Sequence, residues 1–307
     1  MNLRQLEIFR ALVRFRSTVA AAEALGMSQP AVSNAIKSIE SALGFLLFER
    51  ANKRMTPTPE AMILLSEAEP LFRMQEVINQ TAAHLRSGKK GLLRVAATSE
   101  LSESLLPRVI ARFWNGHEGV ELSLETQRLD TIMEQVESGM VDLGLAMEPH
   151  PRATLKITPL ARLGMVCACH ENSPLAKQNQ VRPKDLEGHT MINARTSSRI
   201  LGLVLDAFRA ESVPYQPAMD VRFMNVAGHF VEEGLGVTIM DELTASSARF
   251  MALRSIPFVP RVEIELSAII QQNRSHHVLI QSFLTHIRAE ITSRGIAVPD
   301  PARARQS

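Results

Sequence analysis

Ser28, Gln29, Pro30, Ser33, Asn34 and Lys37 fall within ten residues, at the start of a segment with helical periodicity. Each carries a separable chemistry. Gln29 and Asn34 hold amides that both donate and accept, the pattern that matches an adenine edge, while Pro30 and its neighbour Ala31 can press on a thymine methyl. Ser28, Ser33 and Lys37 suit phosphate oxygens, and Arg50, Lys53 and Arg54 further on would follow a phosphate backbone or enter a narrow minor groove. Taken singly, the same residue types also make an ordinary solvated face and a basic loop.

A second set suits anion binding: Thr98 and Ser99, Thr126, and Asn193, Arg195, Thr196 and Ser197 each follow an apolar run that reads as a strand. Ligands of α/β sheets sit beyond the carboxyl ends of strands, where hydroxyls, amides and free N–H groups can hold a carboxylate. The same hydroxyls serve equally well as helix N-caps. Cys167 and Cys169 would point the same way along a strand, with His170 adjacent; a metal or redox role is one reading, and buried thiols are the one adopted. Two cysteines are too few for a disulfide framework or a four-ligand zinc site. His276 and His277, being adjacent, do not face one site. The chain has no G-x-S-x-G elbow, no phosphate-binding G-x-x-x-x-G-K-[ST] loop and no H-E-x-x-H helix, so no catalytic residue, metal or cofactor is expected.

The elements that must position these residues follow from periodicity. Leu6, Phe9 and Val13 predict a first helix over 3–14. Ser17 caps a second through Ala20, Ala21, Ala22 and Leu25, ended by Gly26; Ser28 caps a third, whose stripe Val32, Ile36, Ile39 and Leu43 ends at Gly44. Two helices joined by so short a turn form a helix-turn-helix, whose second member fits a major groove, although a plain three-helix bundle has the same pattern. Residues 45–58 read as two short arms around a basic tip, Asn52, Lys53 and Arg54: a wing. Ala61, Leu64, Ala68, Leu71, Gln75, Ile78, Ala82 and Leu85 form a heptad seam suited to dimerisation. Gln75 weakens that seam and Pro70 should kink it, which leaves packing onto its own domain as the alternative. A hinge is expected at 87–91.

Beyond it, strands at 93–97, 120–124, 141–146, 163–168, 237–240 and 263–270 alternate with helices such as 104–114, 131–137 and 202–210, predicting α/β architecture with mainly parallel sheets. The tail 298–307 reads as frayed.

At 307 residues, 45% apolar and 21% charged, the chain suits about two globular domains. The net +2 hides an imbalance: residues 1–90 hold 12 Lys+Arg against 8 Asp+Glu, and residues 91–307 hold 22 against 24. The basic end coincides with the helix-turn-helix, consistent with a polyanion partner. No signal-like leader and no 18-residue apolar run is evident, so a cytoplasmic protein without a membrane partner is expected.

Ala20-Ala-Ala-Glu-Ala-Leu-Gly-Met-Ser-Gln-Pro-Ala-Val-Ser33, Leu43-Gly44, Leu47-Phe48-Glu49-Arg50 and Thr56-Pro57-Thr58 resemble the N-terminal signature of LysR-type transcriptional regulators. Gly139-Met-Val-Asp-Leu-Gly-Leu145, Ser173-Pro-Leu-Ala176, Asp185-Leu-Glu-Gly188 and Gly234-Leu-Gly-Val-Thr238 resemble that family's effector-domain landmarks, so the likeness spans nearly the whole chain. Arg16 departs where the family often has Gly, Asn34 where Arg is common, and Pro59-Glu60-Ala61 where Glu-Ala-Gly is usual.

The resemblance implies a winged helix-turn-helix over 1–60, a dimerising linker helix and hinge over 61–90, and a periplasmic-binding-protein-like α/β effector domain over 91–307. That domain would have subdomain I at about 91–162 and 266–300 and subdomain II at about 163–265. Its cleft would include Thr98, Ser99, Thr126 and 195–197. The implied partners are double-stranded operator DNA, a small-molecule effector, RNA polymerase and further copies of the chain in a homodimer or homotetramer. Ala194-Arg-Thr-Ser-Ser198 is most similar to the amino-acid- and opine-responsive subgroup, which implies an effector with a carboxylate and an amine. A hydrolase-like enzyme and a transport-type solute-binding protein are the rival readings; the first lacks the motifs, the second an export signal.

Overall fold

The computed structural model describes residues 1–51, 54–86, 91–195, 198–247, 249–274 and 277–298; of these, the side chains at 50, 51, 54, 80, 81, 83–85, 198 and 274 are outside the description. The chain divides into two compact units, Met1–Gln80 and Thr81–Ser307.

In the first unit, α1 (Leu3–Phe15), α2 (Thr18–Leu25) and α3 (Gln29–Leu43) enclose a core of Phe9, Leu12, Ala21, Val32, Ile36, Ile39 and Leu47, all without exposed surface. The small Ala21 and Ala22 let α2 approach its neighbours closely. The helix ends are set locally: Ser17 Oγ accepts from the Ala20 amide, Ser28 Oγ accepts from the Ala31 amide, and Gly26 and Gly44 close their helices at φ 62° and 79°. Arg16 takes the left-handed conformation at φ 51° to end α1, a geometry that glycine adopts without a steric penalty.

Strands β1 (Phe48–Ala51) and β2 (Arg54–Pro57) pair antiparallel as the wing. Phe48 meets Phe9 edge to face at 6.0 Å. Glu40 fixes the entry to β1, its Oε1 accepting from the Leu47 amide at 2.9 Å and the Phe48 amide at 3.2 Å. The Thr58 hydroxyl caps α4 (Pro59–Arg86) through the Ala61 amide at 3.2 Å, and Pro59 occupies a first-turn position where its missing N–H costs nothing.

Helix α4 runs through Pro70 as one element. Ala61 and Ala68 are buried, but the next buried residue is Phe72, which packs with Leu6 and Ala68 and carries the Arg10 guanidinium 3.7 Å over its ring, while Leu71 is 53% and Ile78 60% exposed. The first half of the helix therefore packs on its own unit, the alternative the sequence left open. Leu85's side chain and the 87–90 part of the hinge lie outside the described residues.

The second unit is α/β, with β3 (Gly91–Ala97), α5 (Ser99–Ser104), α6 (Leu106–Trp114), β4 (Val120–Thr126), α7 (Leu129–Glu137), β5 (Leu143–Met147) and the sixteen-residue β6 (Leu155–His170). There follow β7 (Ile192–Ala194), α8 (Ser198–Ala210), β8 (Met219–Val221), α9 (Met224–Glu232), β9 (Thr238–Asp241), α10 (Glu242–Ala245), β10 (Leu253–Pro257), β11 (Glu263–Gln271) and α11 (Val278–Ser293).

The seven-stranded sheet runs β10-β6-β11-β5-β3-β4, with β9 also on β6. Only β3/β4, β3/β5 and β7/β8 pair in parallel among the named strands; β11 runs antiparallel to both β5 and β6, and β6 to β9 and β10. The expected mainly parallel sheet is thus corrected to a mixed one. The cause is β6, whose first half pairs with β11 and whose second half pairs with β9 and β10, so one strand threads the unit. Its register shifts where Pro159, lacking an N–H, faces Ser267.

Cys167 and Cys169 are buried free thiols in β6, and burial pushes both thiol pKa values up. They are poor nucleophiles in this setting. His276 and the 299–307 tail lie outside the described residues.

Candidate functional site: a helix face and a charged cleft

On α3 the residues opposite Val32, Ile36 and Ile39 face away from the core. Gln29, Pro30, Asn34 and Lys37 are exposed and Ser33 is half-buried, all at helical spacing, with Ser28 at the N-cap. Gln29 Nε2 donates to Thr18 Oγ1 at 3.2 Å, which leaves its carbonyl oxygen free to accept. The capping oxygen of Ser28 accepts from the helix, so its proton remains available to a further acceptor. Arg50 and Arg54 occupy facing strands of the wing by backbone register; their side chains, and Asn52 and Lys53 altogether, lie outside the described residues.

The second unit contains a cleft of about 460 Å³ lined by, among others, Thr98, Glu100, Gln127, Arg128, Asp130 and Glu148, together with Arg195, Arg199, Arg222 and Met224. Of the residues expected there, Thr98 and Arg195 line it. The Thr98 hydroxyl is buried, does not cap α5, and has no partner among the described residues. Arg195 pairs loosely with Asp220 at 3.3 Å and is 72% exposed at its side chain. Hydrogen bonds from Asn193 and, beyond the cost of burial, from Arg195 hold the Asp220 carboxyl below its usual range.

The remaining expectations fare differently. Thr126 is exposed and does not line the cleft, because the chain turns one residue later and presents Gln127 and Arg128. Asn193 is committed elsewhere: its Nδ2 donates to Asp220 Oδ1 at 2.7 Å and its Oδ1 accepts from the Tyr215 hydroxyl at 2.9 Å. Ser99 is buried and accepts from Asn225 Nδ2 at 3.2 Å. Thr196 and Ser197 lie outside the described residues.

The cleft holds charges the sequence reading did not assign. Arg128, Arg222 and Asp130 have no side-chain ion pair among the described residues, whereas Arg199 is held by Glu148 at 2.7 Å. Glu148 and His150 follow β5, and Arg222 follows β8, so the rule applied to other strands would have found the first two. Strand β8 was not foreseen, since three residues give too short a pattern.

Residues 3–62 match the model described as "Bacterial regulatory helix-turn-helix protein, lysR family", and residues 86–292 match "LysR substrate binding domain". The octopine catabolism/uptake operon regulatory protein OccR of Rhizobium meliloti is 31% identical, the alignment covering 93% of this chain and 94% of that protein. The transcriptional activator protein LysR of Escherichia coli is 28% identical, covering 94% and 93%. Full-length CbnR, solved in complex with its target DNA, shares the fold with a TM-score of 0.73 at 20% identity, covering 94% of this chain and 100% of that one.

Proposed function

From a chain that belongs to the LysR family of transcriptional regulators, we infer how the two sites divide the work of a DNA-binding regulator with an effector domain. The exposed polar face of α3 carries the reading: Gln29 and Asn34 read base edges, Pro30 contacts a thymine methyl, and Ser28, Ser33, Lys37, Arg50, Lys53 and Arg54 hold phosphates. The relatives named above are regulators by their names, and the chain itself is taken not to be an enzyme.

The cleft volume falls within the roughly 300–1,000 Å³ usual for small-molecule sites. Arg128 and Arg222, without an ion pair among the described residues, and the Thr98 hydroxyl, likewise without a partner among them, suit a carboxylate, and Asp130 with Glu100 suits an ammonium or guanidinium. The effector is therefore an amino acid or an amino-acid conjugate, a reading supported by the similarity to a regulator of an octopine operon. Asn193 and Thr126 act outside the first contacts of that ligand.

The exposed Leu71 and Ile78 of α4 form the contact for a second copy, and a homodimer or homotetramer on operator DNA, working in the cytoplasm with RNA polymerase, completes the assembly. Genome-wide mapping of bound DNA, followed by a thermal-shift screen, tests the reading. Amino acids or opines should raise Tm in proportion to occupancy. Stabilisation by aromatic acids or sugars alone would overturn the effector class.

A further inference from the structure

A second groove, of about 890 Å³, lies in the same unit and shares no lining residue with the effector cleft. Its lining has five arginines against two glutamates. Arg249 pairs with Glu103 at 3.3 Å, Arg261 with Glu263 at 2.8 Å, and Arg294 and Arg108 with the fully buried Glu290 at 2.7 Å and 4.0 Å. Arg162 has no side-chain partner among the described residues, nor do the hydroxyls of Ser247 and Ser255. Glu242, the second glutamate, spends an oxygen on the Gly164 amide at 2.9 Å. One unpaired guanidinium, with the solvent-exposed Arg108, Arg249 and Arg261 around it and two serine hydroxyls without a partner among the described residues, is the donor set of an oxyanion site.

One short helix connects this groove to the cleft. α5 begins at Thr98 and Glu100 in the cleft and ends at Glu103 and Ser104 in the groove. Asn225 bridges its length, Nδ2 donating to Ser99 Oγ at 3.2 Å and to Glu103 Oε1 at 2.9 Å. The next residue back, Met224, lines the cleft and donates its amide to Glu100 at 3.3 Å. An anion that draws Arg249 away from Glu103 therefore loosens the carboxylate that anchors Asn225, and with it the cleft wall.

We propose that this groove is a second small-molecule site, for a compact multivalent anion, whose occupancy is transmitted to the effector cleft through α5 and Asn225. Calorimetric titration of the full chain with inorganic pyrophosphate at constant ionic strength tests it. Saturable binding is expected, weakened at least tenfold by Arg162→Ala with Arg261→Ala. Arg128→Ala in the cleft identifies the locus: retained affinity supports the groove, and lost affinity would place the anion in the cleft and refute the site. Hydrogen exchange should then change in peptides spanning 98–104 and 222–226 on pyrophosphate binding, and that change should vanish in Asn225→Ala while binding persists. Absence of binding at millimolar pyrophosphate, unchanged affinity in the double variant, or exchange effects confined to the groove would each overturn the proposal.

Discussion

Asp241 has no exposed surface, and its carboxylate accepts from the Thr244 amide at 2.8 Å and the Thr244 hydroxyl at 2.5 Å. Burial nonetheless outweighs these bonds and raises its pKa to about 6, from 3.8. The folded state thus binds a proton more readily than the unfolded one between those values, and stability falls as pH rises through that window. The penalty is fully present above pH 6 and on the order of 3 kcal/mol. Asp241→Asn keeps a capping oxygen and should raise Tm at pH 8 while leaving it little changed at pH 4, as read by thermal unfolding at both values. At the other site, Gln29→Ala should lose about 1–3 kcal/mol on operator DNA with little effect on random duplex, whereas Lys53→Ala should weaken both and flatten the salt slope by about one unit. Fluorescence anisotropy across a salt series separates the two. The caps Ser17 and Ser28 were readable from sequence because capping is settled within four residues. The commitment of Asn193 to Asp220 and Tyr215 was not, because it joins groups 27 and 22 positions away.

Helix ends and strand positions were legible where the pattern is local, and pairing was not. Each half of β6 alternates or runs apolar like any strand; nothing in residues 155–170 announces that one half joins β11 and the other β9 and β10. The linker helix shows the same limit, since the step from Ala68 to Phe72 depends on Leu6 and Arg10 of another helix. Two element-scale predictions follow from close contacts. A Cβ at Gly236 would collide with the Thr190 carbonyl, so Gly236→Ala should cost about 1–3 kcal/mol by overpacking and lower the Tm of the second unit. Glu40→Ala strands the Leu47 and Phe48 amides and should cost about 1–3 kcal/mol, while Glu40→Gln, which keeps an acceptor, should recover most of it; calorimetry of residues 1–80 unfolding within the full chain measures both.

At the scale of the molecule, the match to a LysR-family helix-turn-helix falls in the first unit and the match to the LysR substrate binding domain falls in the second, so the regulator's two domains occupy separate parts of the chain. The order of these parts was legible because the helix-turn-helix and the effector-domain landmarks are both local signatures; the charge pattern of the cleft was not, being assembled from strand ends far apart in sequence. Everything else rests on α3 distinguishing one duplex from another. The affinity of the full chain for its mapped operator and for a scrambled duplex of equal length, at two salt concentrations, measures this directly. The operator should bind at least about a thousandfold more tightly, with both affinities falling as salt rises. Equal affinity for the two duplexes at each salt would contradict the account.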